Sequence, residues 1–76
     1  MSLADHIADH ESHGCRRVDR SLGFARMPEG YALMLDADGT YFYWLSEDGR
    51  ESAEHWSKWA IWRWAKSAAK REVVDA

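Results

Sequence analysis

The chain predicts an α+β fold: a short N-terminal helix, a small antiparallel β-meander of two or three strands, and a long C-terminal α-helix packed across it. Three observations lead there. Tyr31–Asp36 and Thr40–Leu45 are aromatic and apolar runs separated by Asp36-Ala37-Asp38-Gly39, the pattern of a β-hairpin. Residues 52–71 contain five alanines and neither glycine nor proline, so nothing interrupts a helix. The chain has only 76 residues, a length that makes one domain, 1–76, and buries only about 60% of the unfolded surface.

The elements follow in order. Residues 1–14 hold the first helix: Ser2 can cap its N-terminus, Asp5 stands three residues on, and Gly14 provides a stop. Its apolar stripe is only Leu3 and Ile7, so it needs something to dock on. Cys15–Arg20 reads equally as a loop or as the start of a strand. The meander is expected over 22–45, with Leu22–Met27 as its first strand, Phe24 as that strand's anchor, and Pro28-Glu29-Gly30 as its end. In the last strand Tyr41, Tyr43 and Leu45 share one face while Phe42 and Trp44 share the other. Ser46-Glu47-Asp48-Gly49 forms the next turn, and Ser52 is placed as N-cap of the main helix, 52–71.

A helical wheel divides that helix. Trp56, Ala60 and Trp64, with Ala53, Ile61 and Ala68 beside them, form the arc expected to face the sheet. The opposite arc carries His55, Lys58, Trp59, Trp62, Arg63, Lys66 and Lys70. Five tryptophans are more than so small a core needs, and four of them fall between Trp56 and Trp64. Charge is divided in the same way. Residues 52–71 hold five basic and one acidic side chain, whereas residues 1–51 hold five basic and ten acidic. A net charge of −3 therefore hides a basic, aromatic helix on an acidic remainder. Trp and Arg dominate interface energetics, so Trp59, Trp62, Arg63, Lys66, Lys70 and Lys58 are the candidate partner-binding residues. The structural alternative is that Trp59 or Trp62 is covered by the first helix, or by lysine and arginine stems.

Other classes find less support. His6, His10 and His13 share one helix face at spacings that zinc can use, and they are the nearest approach to a metal site. No second cysteine completes the set, and His6 is followed by Ile7 rather than Glu, so neither metal nor cofactor is expected. No nucleophile and base are arranged for catalysis, and the chain is expected not to be an enzyme. A basic helix with exposed indoles can track phosphates and stack on bases, but a pI near 5.7 argues against nucleic acid as the main partner. No apolar run is long enough to span a membrane, no leader pattern opens the chain, and lone Cys15 fits a reducing compartment; a cytoplasmic location is expected.

The segment GYALMLDADGTYFYWLSEDGRES followed by HWSKWAIWRWAK resembles short accessory proteins encoded by bacteriophages and prophages of GC-rich bacteria. The likeness covers about Met27–Lys66 and is one of style, so it carries over no functional residue. It implies a compact fold that binds and blocks a host machine, such as RNA polymerase, a CRISPR complex or another defence or regulatory factor. The leading expectation is therefore a non-enzymatic module that docks on a bacterial host protein or nucleoprotein complex through its Trp and basic helix face. Homodimerisation through the same stripe is included. A nucleic-acid-associated protein is the alternative.

Overall fold

The computed structural model describes residues 2–75, with side chains through Arg71. Its elements are α1 (Leu3–Ser12), β1 (Arg16–Arg17), a 3₁₀ turn (Asp19–Leu22), β2 (Tyr31–Leu35), β3 (Phe42–Ser46) and α2 (Lys58–Asp75). The three strands form one antiparallel sheet in the order β1-β2-β3. One helix packs on each face of the sheet, so all five residues of β2 are buried.

Helix α1 begins as its sequence dictates. The Ser2 hydroxyl accepts from the Asp5 N–H, and the Asp5 carboxylate accepts from the Ser2 N–H, a reciprocal capping box. Accepting that backbone N–H holds the Asp5 carboxyl below its usual range. Ile7 then drops among Ala32, Met34, Tyr43 and Leu45, with Leu3 and Cys15 at the margin. The His6 ring lies directly on Gly49, where a Cβ would stand 2.9 Å from Cε1. Gly49 also takes φ +86°, so both space and backbone require glycine there.

The hairpin forms as predicted, although β3 opens at Phe42 rather than Thr40. Pairing Leu33 with Trp44 and Met34 with Tyr43 sends alternate residues to opposite faces. Tyr31, Leu33 and Trp44 meet Ile61, Ala65 and Ala68 of α2, while Met34, Tyr43 and Leu45 meet α1.

Three expectations are overturned. Leu22–Met27 is not a strand; the third strand is the two-residue β1 upstream of it. The edge of β2 beyond β1 is closed by Val18 N–H donating to the Leu33 carbonyl (2.8 Å) and by Leu33 N–H donating to Asp19 Oδ1 (2.6 Å). A side chain thus replaces a strand, Leu22 is buried, and Gly23 (φ +64°) turns the chain outward. Phe24, expected as an anchor, is 104% exposed.

The main helix starts at Lys58, not at Ser52. Residues 51–55 instead run along the free edge of β3. Phe42 and His55 exchange both backbone hydrogen bonds, Ser52 N–H donates to the Trp44 carbonyl, and the Ser52 hydroxyl accepts from Trp44 N–H. An exposed strand edge needs partners, and supplying them outweighs an early helical turn. The helix also continues beyond Arg71 to Asp75.

Finally, Ile61 and Ala68 face the sheet as expected, but Ala65 joins them in place of Trp56, Ala60 and Trp64. Tyr31 and Trp44 already fill the sheet surface, edge to face at 5.1 Å. Only small or slender helix residues fit above them, so the tryptophans turn aside.

Candidate binding surface on the C-terminal helix

The tryptophans of residues 56–64 fall into two groups, on opposite flanks of the Ile61–Ala65–Ala68 ridge. On one flank Trp59 and Trp62 meet edge to face, with ring centroids 6.0 Å apart. Trp59 is 43% exposed, whereas Trp62 is half-buried. The Trp62 indole N–H donates to the Arg26 carbonyl at 2.9 Å, and Lys66 Nζ lies 4.3 Å from its ring centroid. Trp62 therefore has its polar group satisfied within the chain and serves partly as a wall. Trp59 remains available, with Lys58 Nζ 5.7 Å from its centroid.

Lys58 also donates to the Ser21 carbonyl at 2.6 Å. Together with the Trp62–Arg26 bond, this staples the 21–26 loop to the first turns of α2 at two points. Phe24 lies between the staples, its ring fully in water. Around the next turns Arg63, Lys66 and Lys70 are exposed, and with Ser67 they line a shallow hollow. Of the six residues the sequence singled out, Lys58, Trp59, Arg63, Lys66 and Lys70 thus share one face with Trp62 at its margin. Helix α1 covers neither Trp59 nor Trp62, because it docks on the other side of the sheet.

The second group joins Trp56, Trp64 and His55. The His55 ring stacks on Trp56 at 5.1 Å and meets Trp64 edge-on at 5.5 Å, leaving the two indoles 71% and 40% exposed. His55 Nδ1 accepts from Ser57 N–H, which fixes the ring just before the helix begins. Sequence reasoning buried these two indoles and missed Phe24 as a surface residue. Gly23 before it and Pro28 after it are loop residues, but neither says that the Phe24 ring faces water.

The histidines are not assembled. His10 Nδ1 lies 2.6 Å from the Tyr43 hydroxyl and its Nε2 3.4 Å from Glu51 Oε2. His13 Nδ1 lies 3.0 Å from the Asp9 carbonyl, and His6 rests on Gly49. The three imidazoles of one face thus go to separate partners. Among the described residues no group of three His, Cys, Asp or Glu could hold a metal ion. Tyr43 is the sheet's side of this contact; burial, reinforced by hydrogen bonding to Cys15, pushes its phenol well above the ordinary tyrosine range.

The acidic turns use their charges locally. Thr40 N–H donates to Asp36 and holds its carboxyl below the usual range, while Glu54, hydrogen-bonded to that same carboxyl, is pushed up. The Ser46 hydroxyl, with Arg50 beside it, likewise holds Asp48 down. No helix among the described residues is long and apolar enough to cross a membrane. Compared with protein-family models, with curated proteins and with solved structures, the chain gives no significant match.

Proposed function

We propose that this chain is a non-enzymatic protein-binding module that docks an acidic, partly apolar protein surface onto the outer face of α2. The observation that carries this reading is the pair of exposed aromatics, Phe24 and Trp59, carried on a loop and a helix that two hydrogen bonds hold together. An exposed aromatic ring is costly in water, and aromatic anchors at the centre of an interface supply most of its energy. A rigid mount lowers the ordering cost of binding. Lys58 lies against Trp59, and Arg63, Lys66 and Lys70 extend the same face along α2, so the complementary surface is acidic. In the phage-accessory reading of the sequence, that surface belongs to a protein of the bacterial host.

Nucleic acid binding has one observation in its favour: Arg63, Lys66 and Lys70 are exposed on the same helix face as Trp59, on which a base could stack. Salt separates the two readings. Binding to a captured bacterial protein anchored by Phe24 and Trp59 should weaken only modestly as salt rises, whereas phosphate contacts weaken steeply. Phe24→Ala and Trp59→Ala should each reduce partner affinity on the order of thirtyfold while leaving the melting transition nearly unchanged. Retained affinity in the double variant, or lost folding in either, removes this surface. Sedimentation of the free chain at rising concentration shows whether a second copy uses the same stripe.

A further inference from the structure

A cavity of about 310 Å³ lies beside the first residues of α1 and β2, away from the α2 stripe. Its lining includes three arginines, Arg17, Arg20 and Arg26, together with the apolar residues Leu3, Ala25 and Met27. An adjoining hollow shares Arg17, Asp19 and Arg20. Three cations around one small space repel one another, so their convergence needs an explanation.

The charges are unequally employed. Arg17 is committed: its Nε and Nη2 donate to Asp19 Oδ2 at 3.2 and 3.0 Å, while Asp19 Oδ1 accepts from Leu33 N–H. Asp19 therefore neutralises Arg17 and closes the sheet edge at the same time. Arg20 and Arg26 make no side-chain hydrogen bond or ion pair among the described residues. Glu29 is the remaining acid on the wall, and it is exposed and likewise without an ion pair among the described residues. The lining keeps one net positive charge, carried by side chains whose planar forks suit tetrahedral oxyanions.

We infer that this cavity is a binding site for a small phosphate-bearing ligand, with Arg20 and Arg26 as the groups that grip the phosphoryl oxygens. Arg17, held in place by Asp19, forms a fixed electropositive wall. The volume lies at the lower end of the range of small-molecule sites, which fits a phosphorylated small molecule better than a polymer. No residue of α2 lines the site, although Arg26, whose carbonyl accepts from Trp62, belongs to the loop that α2 holds.

The test is an amide-resolved NMR titration of the full chain with inorganic phosphate, then pyrophosphate, at constant ionic strength. Saturable shifts are expected at Gly30, Tyr31 and the arginine Nε–H signals, with pyrophosphate binding more tightly. The Arg20→Ala/Arg26→Ala double variant should weaken binding by about tenfold or more, since two charge-assisted hydrogen-bonding groups are lost. Glu29→Gln should tighten it. Lys66→Ala/Lys70→Ala removes the same charge from α2 and should leave affinity unchanged. Equal weakening by the two double variants would mean diffuse attraction and overturn the site, as would the absence of saturation. Tighter binding of citrate than of pyrophosphate would overturn the assignment to phosphate. No α2 residue lines the cavity, so the Lys66→Ala/Lys70→Ala control distinguishes a failure of this site from a failure of the docking face.

Discussion

The two faces of the sheet are covered by helices that are held in different ways. On the α2 face the contact is apolar: Ile61, Ala65 and Ala68 lie over Tyr31, Leu33 and Trp44, and the first turns are stapled to the 21–26 loop through Lys58 and Trp62. On the α1 face one isoleucine enters the core, and polar contacts do much of the rest, with His10 reaching Tyr43 and Glu51. Each face also buries one tyrosine. The Tyr43 hydroxyl is hydrogen-bonded, whereas that of Tyr31 has no partner among the described residues. The long helix is thus fixed by burial and the short one by geometry, so the α1 face should open first.

The largest expected effect is on the apolar side. Ile61→Ala should destabilise by about 3–4 kcal/mol in urea denaturation, because the fully buried side chain leaves a cavity between helix and sheet. Ile7→Ala should cost about 2 kcal/mol, near the low end for such truncations. In hydrogen exchange it should release the α1 amides while β2 stays protected. Equal exposure of both helices would mean that the two faces are not separable.

The tyrosines sharpen the contrast. Tyr43→Phe should cost about 1 kcal/mol by stranding His10, whereas Tyr31→Phe, which removes an unpartnered hydroxyl, should be neutral or slightly stabilising. Burial raises both phenols above the ordinary value of 10. The folded state then holds protons that the unfolded chain releases, so this stability is present below pH 10 and is lost as pH rises beyond it. Tyr43, with the larger shift, should dominate that loss, and Tyr43→Phe should flatten the alkaline limb of the stability profile.

The smallest effect belongs to the segment that joins the faces. Glu54 is pushed above 4.5 by Asp36, which is itself held below 3.8. A raised carboxyl contributes stability that is full below its unfolded value and is lost as pH rises through the folded one. At neutral pH both groups are charged and repel. Glu54→Gln should therefore raise the melting temperature slightly at pH 7, and the gain should vanish near pH 4. A gain that persists in acid would place its origin elsewhere.

Local signals were legible where the chemistry is local. Ser2 and Asp5 write a capping box within four residues, and the alternation in 31–45 with its Asp-Gly turn writes a hairpin. The basic stripe of Lys58, Trp59, Arg63, Lys66 and Lys70 was also readable, because a helix fixes which residues share a side. Three features were not legible in this way. Ser52 has the chemistry of a helix cap, but its hydroxyl is taken by Trp44 N–H, a demand created only when β3 has a bare edge. The rotation of α2 depends on the bulk that Trp44 and Tyr31 place beneath it. Phe24 was read as an anchor because nothing local shows that Asp19 has already closed the edge it would have joined.

By itself the order of residues determined two helices, a hairpin between them, and a basic face on the second helix. These depend on hydrogen bonds and periodicities spanning a few positions. Tertiary structure alone decided where α2 begins, which indoles it buries, and that Phe24 stands in water on a loop tied to α2. Those outcomes turn on competition for strand edges and for volume between segments distant in the chain, and no local pattern encodes which competitor wins.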